Sequence, residues 1–586
     1  EHTFDFLQSQ HRPDAYHAAD RVVARTFTIL GHKSHTFAQD IRWHQDFTCK
    51  QESPPAWQST FYSDIVIPSH PSLPQPDIKV PWELSRLTCC RDLGYGYAHA
   101  RLNNDGKRAY HYAQAFVTYI EDWTTHNPFL FGVNWVNPME IALRGINLVS
   151  ALHLFKHEPC ITETFWTSYG TLLVHHIDYL EHNWEVSDRP NNHYLADLVG
   201  HFYLCTCLRF VARYNRAQCI TAHKIFEQLK HQTLPDGTSY EGSTHYHKLV
   251  TELTELFIKL ADHSDILLPT SLRTKFMLMQ QFIRDCSDRT GRLVHIGDED
   301  GGRVGNYWGS CFDTPAVHPE YAASACIEGH GRNSARTESK STCYSPLITY
   351  PHFGLSIIKD SRIHLTFRHP TYTPHQPTGH FHNDQLSITL SINGIQLLVD
   401  PGTYCYTANA TQRNYFRSFA AHNTWYIPSI APDDMHLFML NRQSHPPAQP
   451  AQMHNNVITL QDFYHATTAL QLHRRVTYKP QSNTLEIYDW QKRKDDAIAH
   501  KIDMQWALHV APDIVVVHET ENRWVFMHNK TCLARLETSL AYTTHQDAVS
   551  PLYGTKVAST TLRAVTNSPT PQKMVFWLMC TKDYGI

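Results

Sequence analysis

The stretch Gly379–Thr424, GHFHNDQLSITLSINGIQLLVDPGTYCYTANATQRNYFRSFAAHNT, decides how the second half of the chain is read. Two alternating apolar runs, Leu386/Ile388/Leu390/Ile392 and Ile395/Leu397/Val399, flank Asn393-Gly394, a dipeptide that favours a two-residue type I′ turn. The spacing predicts a β-hairpin with one buried face. His380 and His382 stand two apart at its mouth, so on an extended chain both side chains project from one face. The returning strand ends at Asp400-Pro401-Gly402, which brings Asp400 back toward the level of His382, and His422-Asn423 follows after a polar loop. His382, Asp400 and His422 then converge on one sheet end with His380 beside them. Two imidazoles and a carboxylate suit Zn²⁺ well and Mn²⁺ acceptably; the dull alternative is three polar residues satisfied by backbone and water. Arg413, Tyr415 and Arg417 lie on the intervening loop. They supply positive charge and a phenol, or else a solvated surface.

Outward from this stretch, β patterns continue to the end of the chain at Leu355–Ile358, Leu485–Trp490, Ile514–His518, Trp524–His528 and Met574–Leu578. They predict a large antiparallel domain over 336–586. Before a polar linker at 330–347 the periodicity is helical. Apolar residues recur at steps of three and four, as in Leu195, Leu198, Phe202, Cys205, Leu208 and in Leu249, Leu253, Leu256, Leu260. Breaks such as Asp188-Arg189-Pro190 and Leu234-Pro235-Asp236-Gly237 separate the runs. Helices joined by short loops over 91–335 predict a helical bundle or α/α toroid rather than a parallel α/β fold. Residues 1–90 are aromatic, proline-rich and irregular, with one helix start marked by Pro81 and Glu83. A helical half followed by a β half leaves a long interdomain cleft, a common place for an extended polymer.

Composition narrows the function. With 42% hydrophobic and 18% charged residues the 586-residue chain can bury large cores, and its net charge of −4 creates no global basic field for nucleic acid. An anionic ligand must be met by a local patch. The 14 cysteines include no CxxC pair and no zinc-ribbon spacing. No run of about 18 apolar residues predicts a membrane span. The first residue is Glu1 rather than Met, compatible with a trimmed leader, and no signal peptide is visible.

Four blocks in the helical half carry candidate chemistry. Asn191-Asn192-His193 opens a helix after a proline turn; one asparagine is explained as an N-cap, a second asparagine and a histidine less readily. Asp236-Gly-Thr-Ser-Tyr-Glu-Gly-Ser-Thr-His-Tyr-His247 crowds Tyr240, Tyr246 and His247 into a turn-to-helix junction, although Tyr246, three before Leu249, equally extends a buried stripe. Asn134–Arg144 places Glu140 and Arg144 at i, i+4, a surface ion pair of a few tenths of a kcal/mol by default. Gly297-Asp-Glu-Asp-Gly-Gly-Arg303 is an acidic glycine-rich loop without EF-hand spacing, read as a loop that can border the cleft.

Taken together and in order, DIKVPWELSR (77–86), NWVNPMEIALR (134–144), NNHYLADLVG (191–200), DGTSYEGSTHYH (236–247), HFHNDQLS (380–387), DPGTYCY (400–406) and the RxxxxHN stretch ending at His422-Asn423 resemble the heparinase II/III-like polysaccharide lyases. That group includes heparinase III, heparinase II and oligoalginate lyases. The resemblance implies a multidomain α+β protein: an N-terminal (α/α) toroid, often incomplete, then a C-terminal antiparallel β-sandwich. It implies that Asn192 binds the uronate carboxylate, and that His193, Tyr246 and His380 are catalytic. His382, Asp400 and His422 match the metal ligands, for one structural divalent ion, Zn²⁺ first and Mn²⁺ or Ca²⁺ after it. Tyr415 and Arg417 match substrate-binding residues more weakly. Asn191, Arg86, Arg144 and Tyr240, from the matching blocks, join the substrate-binding candidates. The implied partner is an acidic polysaccharide and the implied location periplasmic or secreted, as a monomer or homodimer.

The chemistry agrees. A uronate C5 proton is too weakly acidic to leave unaided, so elimination needs the carboxylate charge neutralised, a base at C5 and an acid at the departing O4. Asn192 suits the first task and Tyr246 the acid, with Tyr246, His193 and His380 as bases in competition. A glycosaminoglycan (heparan sulfate, hyaluronan or chondroitin sulfate) is the expected substrate, with alginate second; Lys79, Arg86, Arg144, Arg413 and Arg417 are available to meet its anions. A glycoside hydrolase built on Asp298, Asp300 or Glu241 and a non-catalytic carbohydrate-binding protein are the rival readings.

Overall fold

The computed structural model describes residues 15–67, 75–302, 304, 346–430, 436–440, 442, 444–448, 451–493 and 502–579. The expected linker at 330–347, Arg303 and the 335/336 boundary lie outside the described residues, except for 346 and 347.

The helical half is built as hairpins in two layers. After α1 (Ala15–Val23) and α2 (Lys79–Ser85) come α3 (Cys89–Leu102), α4 (Gly106–His126), α5 (Pro138–Phe155), α6 (Glu163–His182), α7 (Asn192–Cys207), α8 (Ala212–Gln232), α9 (Thr244–His263) and α10 (Thr270–Cys286). The odd-numbered helices α3, α5, α7 and α9 pack successively side by side, and α4, α6, α8 and α10 each back onto them. Sequence explains the layers. The inner α5 and α7 are apolar nearly all round and almost wholly buried. The outer α4 buries only Ala109, Tyr112, Ala113, Phe116, Tyr119, Ile120 and Trp123, one stripe at helical spacing. The arrangement is an α/α toroid. Because one outer helix separates each inner helix from the next, inner helices run the same way and their N-termini gather at one end. Asn137, Asn191 and Ser243 cap those ends by accepting from Glu140, His193 and Tyr246 backbone N–H groups.

The β half is an antiparallel sandwich. Apart from the small β1–β2 pair (Thr26–Phe27 with His35–Thr36), its strands start with a five-stranded meander: β3 (Leu347–Tyr350), β4 (Leu355–Lys359), β5 (Ile363–Arg368), β6 (Ile388–Ile392) and β7 (Ile395–Leu398). Bonds between Leu397–Val399 and His509–Ala511 join its edge to a four-stranded sheet formed by Trp425–Tyr426, Met504–His509, Thr543–Val549 and Val557–Thr566. An eight-stranded sheet made from strands between Gln452 and Leu578 forms the other layer. One core, including Leu365, Leu390, Trp425, Leu472, Trp506, Phe526 and Phe576, fills the space between.

The β6–β7 hairpin turns at Asn393 and Gly394, both at positive φ (53° and 83°). In one respect it departs from expectation: both faces of β6 are buried, not one. Ile388, Leu390 and Ile392 face the sandwich core, while Thr389 and Ser391 face a cavity closed by the helical half. The two halves meet there. Phe282, Cys286 and Ile296 pack on Tyr350, Phe353, Leu355 and Ile357, and the Asp236 carboxylate accepts the His352 and Phe353 N–H groups at 2.8 and 3.2 Å.

Candidate active site

The N-terminal ends of α7 and α9 deliver the helical contribution. Asn191 caps α7, so its side chain is engaged with its own helix. Asn192, fully buried, donates its amide N–H to one oxygen of Glu241 at 2.8 Å and its backbone N–H to the other at 2.9 Å, while its Oδ1 has no partner. Glu241 also lies 3.5 Å from Nε2 of His380. His193 keeps 31% of its side chain exposed and donates from Nδ1 to Glu185 at 3.0 Å. Burial would lower its pKa, but the Glu185 carboxylate dominates together with Asp197 and Glu241, and the imidazole is pushed up to about 9. His193 is therefore a cation at neutral pH.

One turn into α9, Tyr246 stacks on His380 from the β half, with ring centroids 3.4 Å apart and planes 17° from parallel. Its hydroxyl donates to Asp300 at 2.8 Å and lies 2.8 Å from the hydroxyl of Tyr406. Burial and the charges of Asp300 and Asp298 raise the phenol well above its ordinary pKa, so it holds its proton. Asp300 behaves oppositely. Burial would raise it, but the Lys79 ammonium 2.6 Å away pulls it below the usual carboxylate range.

His380 and His382 do face one way, though on a loop ahead of β6 and not on the strand. One carboxylate holds both: Nδ1 of His380 donates to Asp298 at 3.1 Å and Nε2 of His382 at 2.8 Å. Burial would raise Asp298, yet both guanidinium N–H groups of Arg413 and the two imidazoles keep it ionised, well below its ordinary range. The His380 ring thus lies between two carboxylates, Nδ1 on Asp298 at 3.1 Å and Nε2 3.5 Å from Glu241.

His382, Asp400 and His422 come together as expected, with one ligand atom of each within 4.8 Å of the others. Nδ1 of His422 donates to Asp400 at 2.8 Å. This leaves Nε2 of His422 and Nδ1 of His382 buried without a partner, two lone pairs aimed into a polar interior. That donor set fits a borderline-soft divalent ion such as Zn²⁺ and fits Ca²⁺, which takes six to eight oxygens, poorly. Asp298 behind His382 stands where a carboxylate would orient an imidazole ligand.

Four of the substrate-binding candidates are drawn elsewhere, and Tyr415 is tied up at the surface of the β half. Arg86 is buried against Glu140 at 2.6 and 2.7 Å, and against Glu83 at 2.6 Å. Glu140 thus pairs with Arg86 and not with Arg144, and no surface ion pair exists between them. Arg144 is interior, donating to His176 and to the Ser85 and Asn134 carbonyls between Trp123 and Trp135. Tyr240 is fully buried. Tyr415 donates to Asp547 at 2.7 Å. Arg417 is buried against the carbonyls of His436 and Leu437. Only Arg86 has its charge matched by carboxylates; Arg144 and Arg417 are buried against neutral groups, with Nε and Nη2 of Arg417 left without a partner. Arg413, expected to face anions, serves Asp298 instead.

Glu185 and Tyr406 are members that the sequence did not point to, while Glu241 and Asp300 were expected only for a hydrolase and Lys79 only for substrate anions. Their signal was present: Glu241 and Tyr406 sit within the quoted blocks, Lys79 within DIKVPWELSR, and both Asp298 and Asp300 within the acidic glycine-rich loop. Two cavities flank the cluster. One of about 640 Å³ is walled by Tyr246, Asp300, Lys248 and Arg292 on the helical side and Asp400 on the other. One of about 770 Å³ lies between Arg189, just before Asn191, and Thr378, Asn383 and Arg442 of the β half.

A helical arc whose inner N-termini present an amide, an imidazolium and a phenol to an imidazole on an antiparallel sandwich is the build of a two-domain polysaccharide lyase. Family comparison agrees: the profile described as heparinase II/III N-terminus matches residues 9–279, and that of the heparinase II/III-like C-terminal domain matches 345–574. The chain belongs to the heparinase II/III-like family and is a polysaccharide lyase. Its fold matches the crystal structure of heparinase III (TM-score 0.67, 12% identity, covering 97% of this chain and 86% of that one). It also matches heparan sulfate lyase HepC from Pedobacter heparinus (TM-score 0.57, 16% identity, 97% and 84% covered). No curated protein sequence matches the chain.

Proposed function

We propose that this protein cleaves a uronic-acid-containing glycosaminoglycan by β-elimination, leaving 4,5-unsaturated uronate ends. The observation that carries the reading is the contact of Tyr246 with His380 across the two halves, with Asn192 joined to His380 through Glu241. His193, charged at neutral pH, and the second amide hydrogen of Asn192 meet the uronate carboxylate and favour the enediolate-like transition state. Nε2 of His380 takes the C5 proton, its ring held by Asp298. Tyr246, kept neutral by its surroundings, returns a proton to O4. Because Asn192 is fully buried and Tyr246 only 4% exposed, a sugar reaches them only when the walls of the site part.

The rival hydrolase reading is disfavoured by charge. Glycoside hydrolysis needs one carboxylic acid with a raised pKa, whereas Asp298 and Asp300 are both held ionised by cations. Among polymers, a glycosaminoglycan is favoured by Lys248, Arg292 and Arg189 around the flanking cavities, and by the likeness to heparinase III and heparan sulfate lyase HepC. His382, Asp400 and His422 hold one divalent ion, Zn²⁺ by donor type, whose part is to tie the hairpin mouth to the 400–422 loop. A periplasmic or secreted location suits a polymer substrate, and among the described residues no helix is long and apolar enough to cross a membrane. The test is an ultraviolet-absorbance screen over heparan sulfate, hyaluronan, chondroitin sulfates and alginate, with product sizing. Absorbing unsaturated product is expected from a glycosaminoglycan; reducing ends without absorbance would establish hydrolysis instead, and absorbance from alginate alone would move the substrate.

A further inference from the structure

The block DIKVPWELSR contributes no group to the chemistry just described, yet its first three residues reach the site. Lys79, 8% exposed, ends on Asp300 at 2.6 Å, and the same Asp300 oxygen accepts the Tyr246 hydroxyl at 2.8 Å. The ammonium also lies 5.6 Å from the ring centroids of Tyr406 and Tyr553. Two residues earlier, the Asp77 carboxylate accepts the Tyr553 hydroxyl at 2.7 Å, and that hydroxyl accepts the Tyr406 backbone N–H at 2.9 Å. Asp77 is itself anchored by its backbone N–H to Asp46 at 2.8 Å, and it accepts the Lys79 backbone N–H at 3.0 Å. One short segment of the helical half thus grips both groups that meet at the Tyr246 oxygen.

We propose that Lys79 is a positioning residue for Tyr246, acting through Asp300. A buried carboxylate without a cation is costly and takes up a proton or relaxes toward water. Lys79 prevents both, so Asp300 stays an acceptor and fixes the torsion of the phenol's O–H. The Tyr246 oxygen is then defined on both sides, by Asp300 as acceptor and by the Tyr406 hydroxyl as neighbour. The single O–H, donated to Asp300 at rest, then has only to turn about the C–O bond from the carboxylate to the leaving oxygen, with the phenol oxygen already in place. The role rests on the lyase reading only in what the phenol does, not in how it is held.

The test compares Lys79→Met, Lys79→Arg, Asp300→Asn and Lys79→Met/Asp300→Asn. Lys79→Met is expected to lower kcat on the order of 10²-fold, the scale of a misplaced catalytic group, with KM little changed and partial rescue by Lys79→Arg. Contacts in one network couple, so the double variant should be no slower than Asp300→Asn. It also removes both charges together, which keeps the comparison usable if Lys79→Met alone fails to fold. A double variant much slower than Asp300→Asn, or a folded Lys79→Met with unchanged kcat, overturns the proposal. A readout independent of turnover is the ring ¹³Cζ resonance of Tyr246, assigned by its loss in Tyr246→Phe. It should move in Asp300→Asn and in whichever Lys79 variant folds without the ammonium. If it moves with Asp300→Asn yet ignores the loss of Lys79, the coupling is refuted even where no polymer is cleaved; failure of the polymer screen by itself sinks only the lyase reading.

Discussion

At the scale of single residues, the site works by giving similar groups opposite surroundings. His193 and His380 are both imidazoles on Asp or Glu, but His193 is 31% exposed and held as a cation by Glu185, whereas His380 is buried, with Nδ1 on Asp298 and Nε2 toward Glu241. The pH dependence follows from this. The folded pKa of His193, about 9, exceeds the ordinary 6.5, so the stability its pair contributes is fully present below about 6.5 and is lost as pH rises through about 9. Activity that needs the cation should fall over the same alkaline limb. Glu185→Gln should move that limb toward lower pH in a kcat/KM profile, with the acid limb in place. Tyr246→Phe keeps the ring stacked on His380 and removes the hydroxyl, with its contacts to Asp300 and Tyr406. It should lower kcat by roughly 10²- to 10⁴-fold while the thermal midpoint stays near that of the unchanged protein, as steady-state ultraviolet assays and calorimetry would show.

At the scale of elements, the hairpin β6–β7 and the helix α11 (Ala410–Arg417) clasp the site between them. Asn423 fastens the hairpin by donating to the Ile388 and Val399 carbonyls at 2.8 and 2.9 Å. From α11, Arg413 reaches the shared Asp298. Arg413→Met leaves that carboxylate buried beside two imidazoles without its guanidinium, a change of the kind that costs about 3–5 kcal/mol; urea unfolding should register it, and adding Asp298→Asn should recover part of the loss. The proposed metal ligands His382, Asp400 and His422 straddle the same elements. Chelation should lower the thermal midpoint and Zn²⁺ should restore it, while Asp400→Ala should make the midpoint insensitive to both. The wide reach of this clasp was legible early, because Asn393-Gly394 and the alternation around it leave little choice of register. The far wall was legible only as a loop that can border the cleft: Asp298 lies 82 residues before His380, and a stretch rich in glycine and acid does not declare which cations and imidazoles it will meet.

At the scale of the whole molecule, the two halves are joined by an apolar seam and by many polar anchors, among them Asp298 with His380 and His382, Tyr350 with Asp285, and Lys359 with the Arg284 and Ser287 carbonyls. Asp236, which accepts two backbone N–H groups of the β half, is another. Asp236→Ala strands those donors and should cost about 1–3 kcal/mol, with the helical and β halves unfolding in less coincident transitions by calorimetry.

What the sequence by itself determined was the order and type of elements, since the helical and strand periods of burial are local properties that residues three, four or two apart declare. It also pointed to Asn192, His193, Tyr246 and His380 as candidates, because amide, imidazole and phenol beside helix starts or a hairpin mouth are unusual in that order. Only the tertiary structure decided which charges serve the site and which the core. Arg86 and Arg144 look as available in the sequence as Lys79, but Arg86 closes on Glu140 and Glu83 and Arg144 on His176 and two carbonyls. Lys79 reaches Asp300 from 221 positions away. Which partner a buried charge finds depends on what the packed helices and sheets bring within a few ångströms, and that distance is not written in the spacing along the chain.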